Sequence, residues 1–186
     1  SAGGYAGLGL SNTTYKFDSD SIKESGNYLK VGAFFDATYF VADVGAAVFL
    51  SGKYDGEKIE DTSLTYLTVS GLGKYPINLG SFVLSPVVGI EYDIPVVAKY
   101  DGEDIEDMEN NLWVKGGAVA DIDLGSMYLR PGVTVGYRFL TKDEKDLIKD
   151  ADDAGVDVSI NNIKVVVLLI YAANDSSGIF HFLIFF

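Results

Sequence analysis

Runs of strict two-residue alternation, each roughly 10–13 residues long, constrain this chain more than any other feature. Successive side chains of a strand point to opposite faces, so each such run has one apolar and one polar side. From Leu29 the odd positions are Leu29, Val31, Ala33, Phe35, Ala37 and Tyr39, with Lys30, Gly32, Phe34, Asp36 and Thr38 between them. Next, Ala42, Val44, Ala46, Val48 and Leu50 oppose Asp43, Gly45, Ala47, Phe49, Ser51 and Lys53. Leu112 to Asp123 repeats the pattern, and it is sharpest where Leu129, Pro131, Val133, Val135, Tyr137 and Phe139 face away from Arg130, Gly132, Thr134, Gly136 and Arg138. Leu64–Tyr75 and Phe82–Asp93 alternate less cleanly. Strands of soluble domains average about 5–6 residues, whereas a tilted strand crossing a bilayer needs about 9–11. Length therefore favours strands that span a membrane.

The connections alternate in kind as well. Short ones fall near Tyr39-Phe40, Ile77-Asn78-Leu79-Gly80 and Asp123-Leu124-Gly125. Long polar ones run through Asp18–Gly26, Asp55–Ser63, Tyr100–Asn110 and Thr141–Gly155, and these hold 19 of the 27 acidic residues. Short turns at one end and long loops at the other are the habit of outer-membrane barrels, with the long loops outside the cell. The nine residues Lys53-Tyr54-Asp55-Gly56-Glu57-Lys58-Ile59-Glu60-Asp61 recur at Lys99-Tyr100-Asp101-Gly102-Glu103-Asp104-Ile105-Glu106-Asp107, 46 residues on. That spacing fits two strands, one turn and one loop, and places both copies on adjacent hairpins at the same barrel end.

Alternation alone also fits a soluble lipocalin-like barrel carrying a small apolar ligand, whose apolar face is the inner one. The composition of the polar face separates the two. It holds glycines and both charge signs, at Lys30, Asp36, Asp43, Lys74, Glu91, Lys115, Asp121, Arg130 and Arg138. Small residues and paired charges suit a narrow lumen better than a solvated exterior, so these nine are expected to face inward. The other face is aliphatic in mid-strand and aromatic near the ends, at Tyr39, Tyr54, Tyr66, Tyr75, Tyr92, Tyr137 and Phe139, as two interfacial girdles would be. Pro86 and Pro131 sit inside alternating runs, and bulges or strand distortions are expected there.

The 186 residues suffice for one domain, read here as a single barrel over 1–186. The net charge of −13 argues against nucleic acid as a partner, and the lack of cysteine excludes disulfides and thiol chemistry. No stretch is a candidate spanning helix; Ile163 to Ala173 carries Lys164 and is followed by polar residues. Ser1-Ala2-Gly3-Gly4 fits either a terminus left by signal cleavage or an added one.

The opening Gly4-Tyr5-Ala6-Gly7-Leu8-Gly9-Leu10 and the proline-then-glycine runs Leu84–Tyr92 and Leu129–Tyr137 resemble strands of the small outer-membrane barrels, broadly the OmpW, OmpX and opacity-like group. The terminal Phe186 resembles the final aromatic that the barrel-assembly machinery reads in such proteins. This resemblance implies eight antiparallel strands, both termini periplasmic, and as partners outer-membrane lipid and glycolipid, the assembly machinery and a small apolar solute. The OmpW type further implies a porin-like route for such solutes above a hydrophobic gate; Phe34, Phe49, Val87 and Val119, on the otherwise polar face, are the candidates for that constriction. The C-terminal quarter departs from the pattern. Two apolar runs, Val156–Ala172 and Gly178–Phe186, remain where one strand is needed, which leaves ten strands as the alternative to eight.

Catalysis finds little support. The one histidine, His181, has no partnering serine pattern and reads as structural, and Glu60/Asp61 and Glu106/Asp107 lie in loops without a companion base. Asp150-Ala151-Asp152-Asp153-Ala154-Gly155 does not match a calcium-loop register, so a solvated acidic loop that bridges weakly through divalent ions to anionic glycolipid is expected. No enzyme, cofactor or resident metal is expected. A passive channel and a surface-exposed structural or adhesive protein are the functions this sequence favours.

Overall fold

The computed structural model describes residues 1–18, 20–105, 108–125, 127–153 and 157–173. Eight long strands pair antiparallel in a meander: β1 (Ala2–Phe17), β2 (Asp20–Asp36), β3 (Phe40–Tyr54), β5 (Thr62–Lys74), β7 (Val83–Tyr100), β9 (Asn111–Asp123), β10 (Met127–Arg138) and β11 (Val158–Ala173). The sheet closes because β11 pairs back onto β1, from Gly4↔Tyr171 to Phe17↔Val158, while β2 pairs with β3. The fold is thus an eight-stranded up-and-down barrel. Closure leaves no unpaired strand edge, which is the condition for placing a sheet in lipid.

The closing strand settles where the ambiguous C-terminal quarter goes. Val158–Ala173 is the eighth strand, and a tenth is not needed. The alternative closing run Gly178–Phe186, with His181 and the terminal Phe186, lies outside the described residues.

Three short elements extend these strands. β4 (Glu57–Ile59) folds back on β3, β6 (Ile77–Asn78) pairs β7 near the short-turn end, and β8 (Glu103–Asp104) pairs the far end of β7. The expected long loops are therefore mostly hairpin. β1 and β2 stay paired out to Phe17↔Asp20, so Asp20–Gly26 is strand. The repeated Asp-Gly pairs form tight turns with positive φ at both positions, Asp55 (φ 48°) with Gly56 (φ 87°) and Asp101 (φ 50°) with Gly102 (φ 80°). Such turns match the strand twist and need residues that tolerate left-handed backbone. The Asp101 amide donates to the Asp61 carbonyl at 2.9 Å and the Asp55 amide to the Lys23 carbonyl at 2.8 Å, knitting neighbouring hairpins into one crown.

The fourth expected loop holds a helix, α1 (Lys142–Asp153). It starts at a reciprocal capping box, with the Glu144 amide donating to Thr141 Oγ1 at 3.3 Å and the Thr141 amide donating to Glu144 Oε2 at 2.9 Å.

The outer surface at mid-height is aliphatic on every wall: Leu8 and Leu10, Leu29 and Val31, Val44 and Val48, Val88 and Ile90, Val133 and Val135 are all exposed, Val88 at 64%. A continuous apolar belt greatly exceeds the few hundred Å² that a soluble monomer exposes. Above Leu10 the outward positions of β1 turn polar, at Asn12, Thr14 and Lys16. Tyr39 and Tyr75 are exposed near the short-turn end, and Tyr92, Tyr137 and Phe139 nearer the hairpin end. Two expected girdle residues are elsewhere. Tyr66 points inward and packs edge-on against Tyr28 at 6.2 Å. A bulge in β3 beside Asn27/Tyr28 leaves Leu50 unpaired and reverses the facing beyond it, so Tyr54 shares a side with Glu24, while Ser51 and Lys53 leave the inner face.

The prolines meet expectation in part, since only Pro131 distorts its strand. Pro86 pairs in register with Ala118, without a bulge, and Pro131 leaves a gap in the β9–β10 ladder but no register shift. The second bulge falls instead opposite Thr65/Tyr66, beside Pro95.

Candidate functional site

The lumen is organised in three levels, each set by what alternation delivers from eight strands. At mid-height Glu91 of β7 accepts from Lys30 Nζ of β2 (2.6 Å), Lys115 Nζ of β9 (2.6 Å) and Lys164 Nζ of β11 (2.8 Å). Lys30 is 1% exposed and Glu91 0%. Asp93, two residues on and on the same face, accepts from Lys164 Nζ at 2.6 Å and from Trp113 Nε1 at 2.8 Å. The Lys164 ammonium also lies 4.7 Å from the centre of the Trp113 ring. A buried charge is tolerated only when paired and hydrogen-bonded, and here each strand that brings a cation meets a carboxylate.

At the short-turn end Asp36 pairs with Lys74 Nζ and with Arg130, which also pairs with Asp121. The Arg130 guanidinium lies beside both the Phe34 ring (5.5 Å) and the Tyr128 ring (5.2 Å), which contact each other edge-on at 6.5 Å. Between the two charged levels lie apolar side chains, Tyr5 with Phe34 and Val41, and Leu72 with Val87 and Val119. They enclose a cavity of about 30 Å³, room for a single water at most. Tyr5 crosses this level because Gly32 and Gly45 carry no side chain; a Cβ on Gly45 would lie 2.3 Å from the Tyr5 hydroxyl oxygen. That hydroxyl donates to Asp43 Oδ1 at 3.1 Å, and Ser70 also donates to Asp43.

Above the lysines the lumen opens into a vestibule of about 350 Å³ at the hairpin end. Asp93, Trp113 and Lys164 form its floor, Tyr28 and Tyr66 part of its wall, and the start of α1 borders it. Arg138 donates to Asn111 Oδ1 at 2.9 Å and pairs with Glu144, tying the capped helix start to the wall. Glu24 lines the vestibule, half-buried, above the aliphatic belt beside Thr13. Burial holds its carboxyl above the ordinary range, against the pull of Arg138. Burial likewise raises the Tyr15 phenol, and the charge of Glu24 adds to the effect.

The nine residues expected inside are all on the inner face. Lys30, Lys115 and Glu91 meet at mid-height; Asp36, Lys74, Asp121 and Arg130 meet at the short-turn end; Asp43 sits between, and Arg138 at the vestibule. Of the four constriction candidates, Phe34, Val87 and Val119 line the small apolar cavity. Phe49 is apart from them, edge-on to Tyr28 at 5.6 Å. Sequence reading missed Lys164, Asp93 and Trp113. The signal for Lys164 is its place as the single charge in an apolar run, since an ionisable residue at membrane depth is there for a reason. Asp93 and Trp113 continue the inward registers of Glu91 and Lys115 by two residues.

No protein-family model matches the chain, and no curated protein matches it. Among solved structures it is similar to the crystal structure of Neisserial surface protein A (NspA), at 11% sequence identity over 91% of this chain and 97% of that one, with a TM-score of 0.49.

Proposed function

We propose that this chain is an outer-membrane β-barrel with a lumen closed by its own side chains, and that its function lies at the outer surface, where the acidic hairpins and the vestibule face the medium. One observation carries the reading: an aliphatic belt surrounds an interior in which each of five cations (Lys30, Lys74, Lys115, Lys164, Arg130) pairs with one of four carboxylates (Asp36, Glu91, Asp93, Asp121), while a fifth, Asp43, is held by the hydroxyls of Tyr5 and Ser70. A soluble carrier of apolar ligands requires the reverse, a polar outside and an apolar cavity. An eight-stranded barrel has an interior that side chains can fill. The partners of such a protein are membrane lipid, surface glycolipid bridged through divalent ions to the hairpins, and the barrel-assembly machinery. The protein is not an enzyme in this reading, and the hairpin end is extracellular.

Two measurements test it together. Cell fractionation and extraction place the protein in the outer membrane and soluble only with detergent; a monodisperse monomer in plain buffer overturns the membrane reading. Planar-bilayer recording gives no steps above baseline; regular conductance overturns the closed lumen. Passage of small apolar solutes is the second reading, favoured by the apolar level of Phe34, Leu72, Val87 and Val119. It predicts uptake of such solutes into proteoliposomes, faster than into protein-free vesicles. Its obstacle is size, since about 30 Å³ admits no organic molecule.

A further inference from the structure

The nine-residue repeat gives the molecule two nearly identical hairpins, which differ only in that Lys58 of the first corresponds to Asp104 of the second. Register makes that one difference electrostatic. Lys99 lies directly opposite Asp104 and pairs with it at 3.3 Å, whereas Lys53 lies directly opposite Lys58. Like charges so placed, with Cβ atoms about 4.5–5.5 Å apart, destabilise a strand pair. Two more lysines extend the row across the outer wall. Lys53 stands opposite Ser25, which puts Lys23 on the adjacent diagonal, and Lys23 stands opposite Thr14, which puts Lys16 on the next. Diagonal neighbours on one face are about 7–8 Å apart, within reach of long side chains. All four lysines are exposed; among the described residues only Lys58 forms an ion pair, with Glu60 at 3.4 Å, and that pair is open to solvent. The outward strand positions of β1, β2 and β3 between the aliphatic belt and the turns hold hydroxyls, amides and these lysines, and no carboxylate. In a chain of net charge −13 this wall is the exception.

We propose that Lys16, Lys23, Lys53 and Lys58 form a binding row for the phosphorylated sugars of a surface glycolipid, held against the outer wall of β1–β4. The inference rests on the outer-membrane reading with the hairpin end outside, and it adds direct contact by lysine to the divalent bridging at the acidic hairpins. Charge selects an anion, and a phosphate monoester, with up to two charges and three acceptor oxygens, can answer several ammonium groups at once. Height selects the carrier. Lys16 and Lys23 each lie six residues beyond the last exposed aliphatic side chain on the outer face of their strand, Leu10 and Leu29. At about 3.4 Å per residue and about 40° of tilt, their Cα atoms stand roughly 15 Å above the belt, past the about 5–8 Å of headgroup on each side of a bilayer. A phospholipid phosphate lies below the row, whereas the sugar portion of a glycolipid reaches it. The side chains in between, such as Thr14 and Asn27, offer hydrogen bonds to sugar hydroxyls. The row is on the outside of the barrel, so its binding does not depend on whether the lumen conducts.

The test titrates rough lipopolysaccharide, whose short sugar part is phosphorylated, into the folded full chain in a non-ionic detergent with EDTA present, and reads binding by calorimetry. Saturable binding is expected, because ammonium groups need no divalent bridge. Lys58→Asp, which gives the first hairpin the pairing of the second, weakens it about tenfold or more. Asp104→Lys makes the reverse change on β8, beside β7, whose neighbours β5 and β9 supply no outward lysine, their Lys74 and Lys115 being paired in the lumen. It leaves affinity within about twofold, as distant screened charges do. The double variant keeps the net charge of −13 and binds as weakly as Lys58→Asp. Dephosphorylated lipopolysaccharide and phosphatidylglycerol both bind more weakly than the intact glycolipid. Absence of saturable binding in EDTA, parental affinity in the double variant, or equal binding of either control lipid would each overturn the proposal. Such a result in a protein that still requires detergent strikes the lysine row alone, whereas a monodisperse monomer in plain buffer strikes the membrane reading.

Discussion

At the short-turn end Asp36 is held between Lys74 and Arg130, and Arg130 reaches on to Asp121; at the hairpin end Glu24 faces the vestibule with no side-chain hydrogen bond among the described residues. Both ends belong to one lumen and are built from the same alternating strands. They differ in width and in access to water. Where the lumen is narrow, removing a charge from water is repaid only by pairing, and each cation has found a carboxylate. Where it widens, solvent screens what is left over, so an unpaired acid can persist. Rigid closure and open, solvated space thus separate along the barrel axis.

The sharpest way to break this contrast is at the point where the closed part begins. Glu91→Gln leaves Lys30 and Lys115 without their carboxylate partner, and loss of one member of a buried ion network costs about 3–5 kcal/mol. Urea unfolding of the protein in lipid vesicles measures it; a loss under about 1 kcal/mol would mean that water reaches the lysines and that the lumen is not closed there. Arg130→Met tests the lower level, where Lys74 still neutralises Asp36 and Asp121 is partly exposed. A smaller loss of about 2–3 kcal/mol is expected in the same assay, the scale of charge-assisted bonds.

Gly45→Ala addresses the apolar level between them. The added methyl meets the Tyr5 hydroxyl, and overpacking of this kind costs about 1–3 kcal/mol. The double variant with Tyr5→Phe should recover part of that loss, since the clashing atom is gone; no recovery would place the strain in the backbone, where Val31 O lies 2.4 Å from the same Cβ position.

The smallest effect has the opposite sign. Burial raises the folded-state pKa of Glu24 above its unfolded value, so its contribution favours folding below the unfolded pKa and is lost as pH rises through the folded one. Glu24→Gln should therefore unfold slightly later than the parent at pH 8 and equally at pH 4. A destabilised variant at pH 8 would show that Glu24 is paired after all and that the two ends are alike.

The barrel was legible because alternation is a property of the backbone: Leu29 to Asp36 and Leu129 to Arg138 state their two faces in the sequence. Legibility failed where geometry interrupts the period. In β11 both Val165 and Val166 are apolar although Val166 is buried inside and Val165 faces the other side, so the strand shows no alternation there and the inward direction of Lys164 is not legible. The bulge at Leu50 turned Ser51, Lys53 and Tyr54 over, and nothing in the local sequence marks a bulge there. A tyrosine suits an interfacial girdle and a wide vestibule equally well, so the residue type of Tyr66 does not reveal its inward position. The helix was readable: Thr141 and Glu144 stand at capping-box spacing, and the acidic character of the segment hid it. The vestibule was not, because it depends on Asp93 and Trp113 at the floor and Glu24 higher on the wall arriving from three strands around one opening.

The balanced interior has a further consequence for the whole molecule. Because the five lumen carboxylates and five lumen cations cancel, the formal charge of −13 resides outside that network, and much of it rides on the hairpins and on α1. In a membrane plane such proteins are like-charged discs that repel one another through their crowns. Repulsion of that kind reaches about 10 Å at 0.1 M salt and about 30 Å at 0.01 M. Ionic strength and divalent cations would then set how densely copies crowd together, with no change in any contact within the barrel.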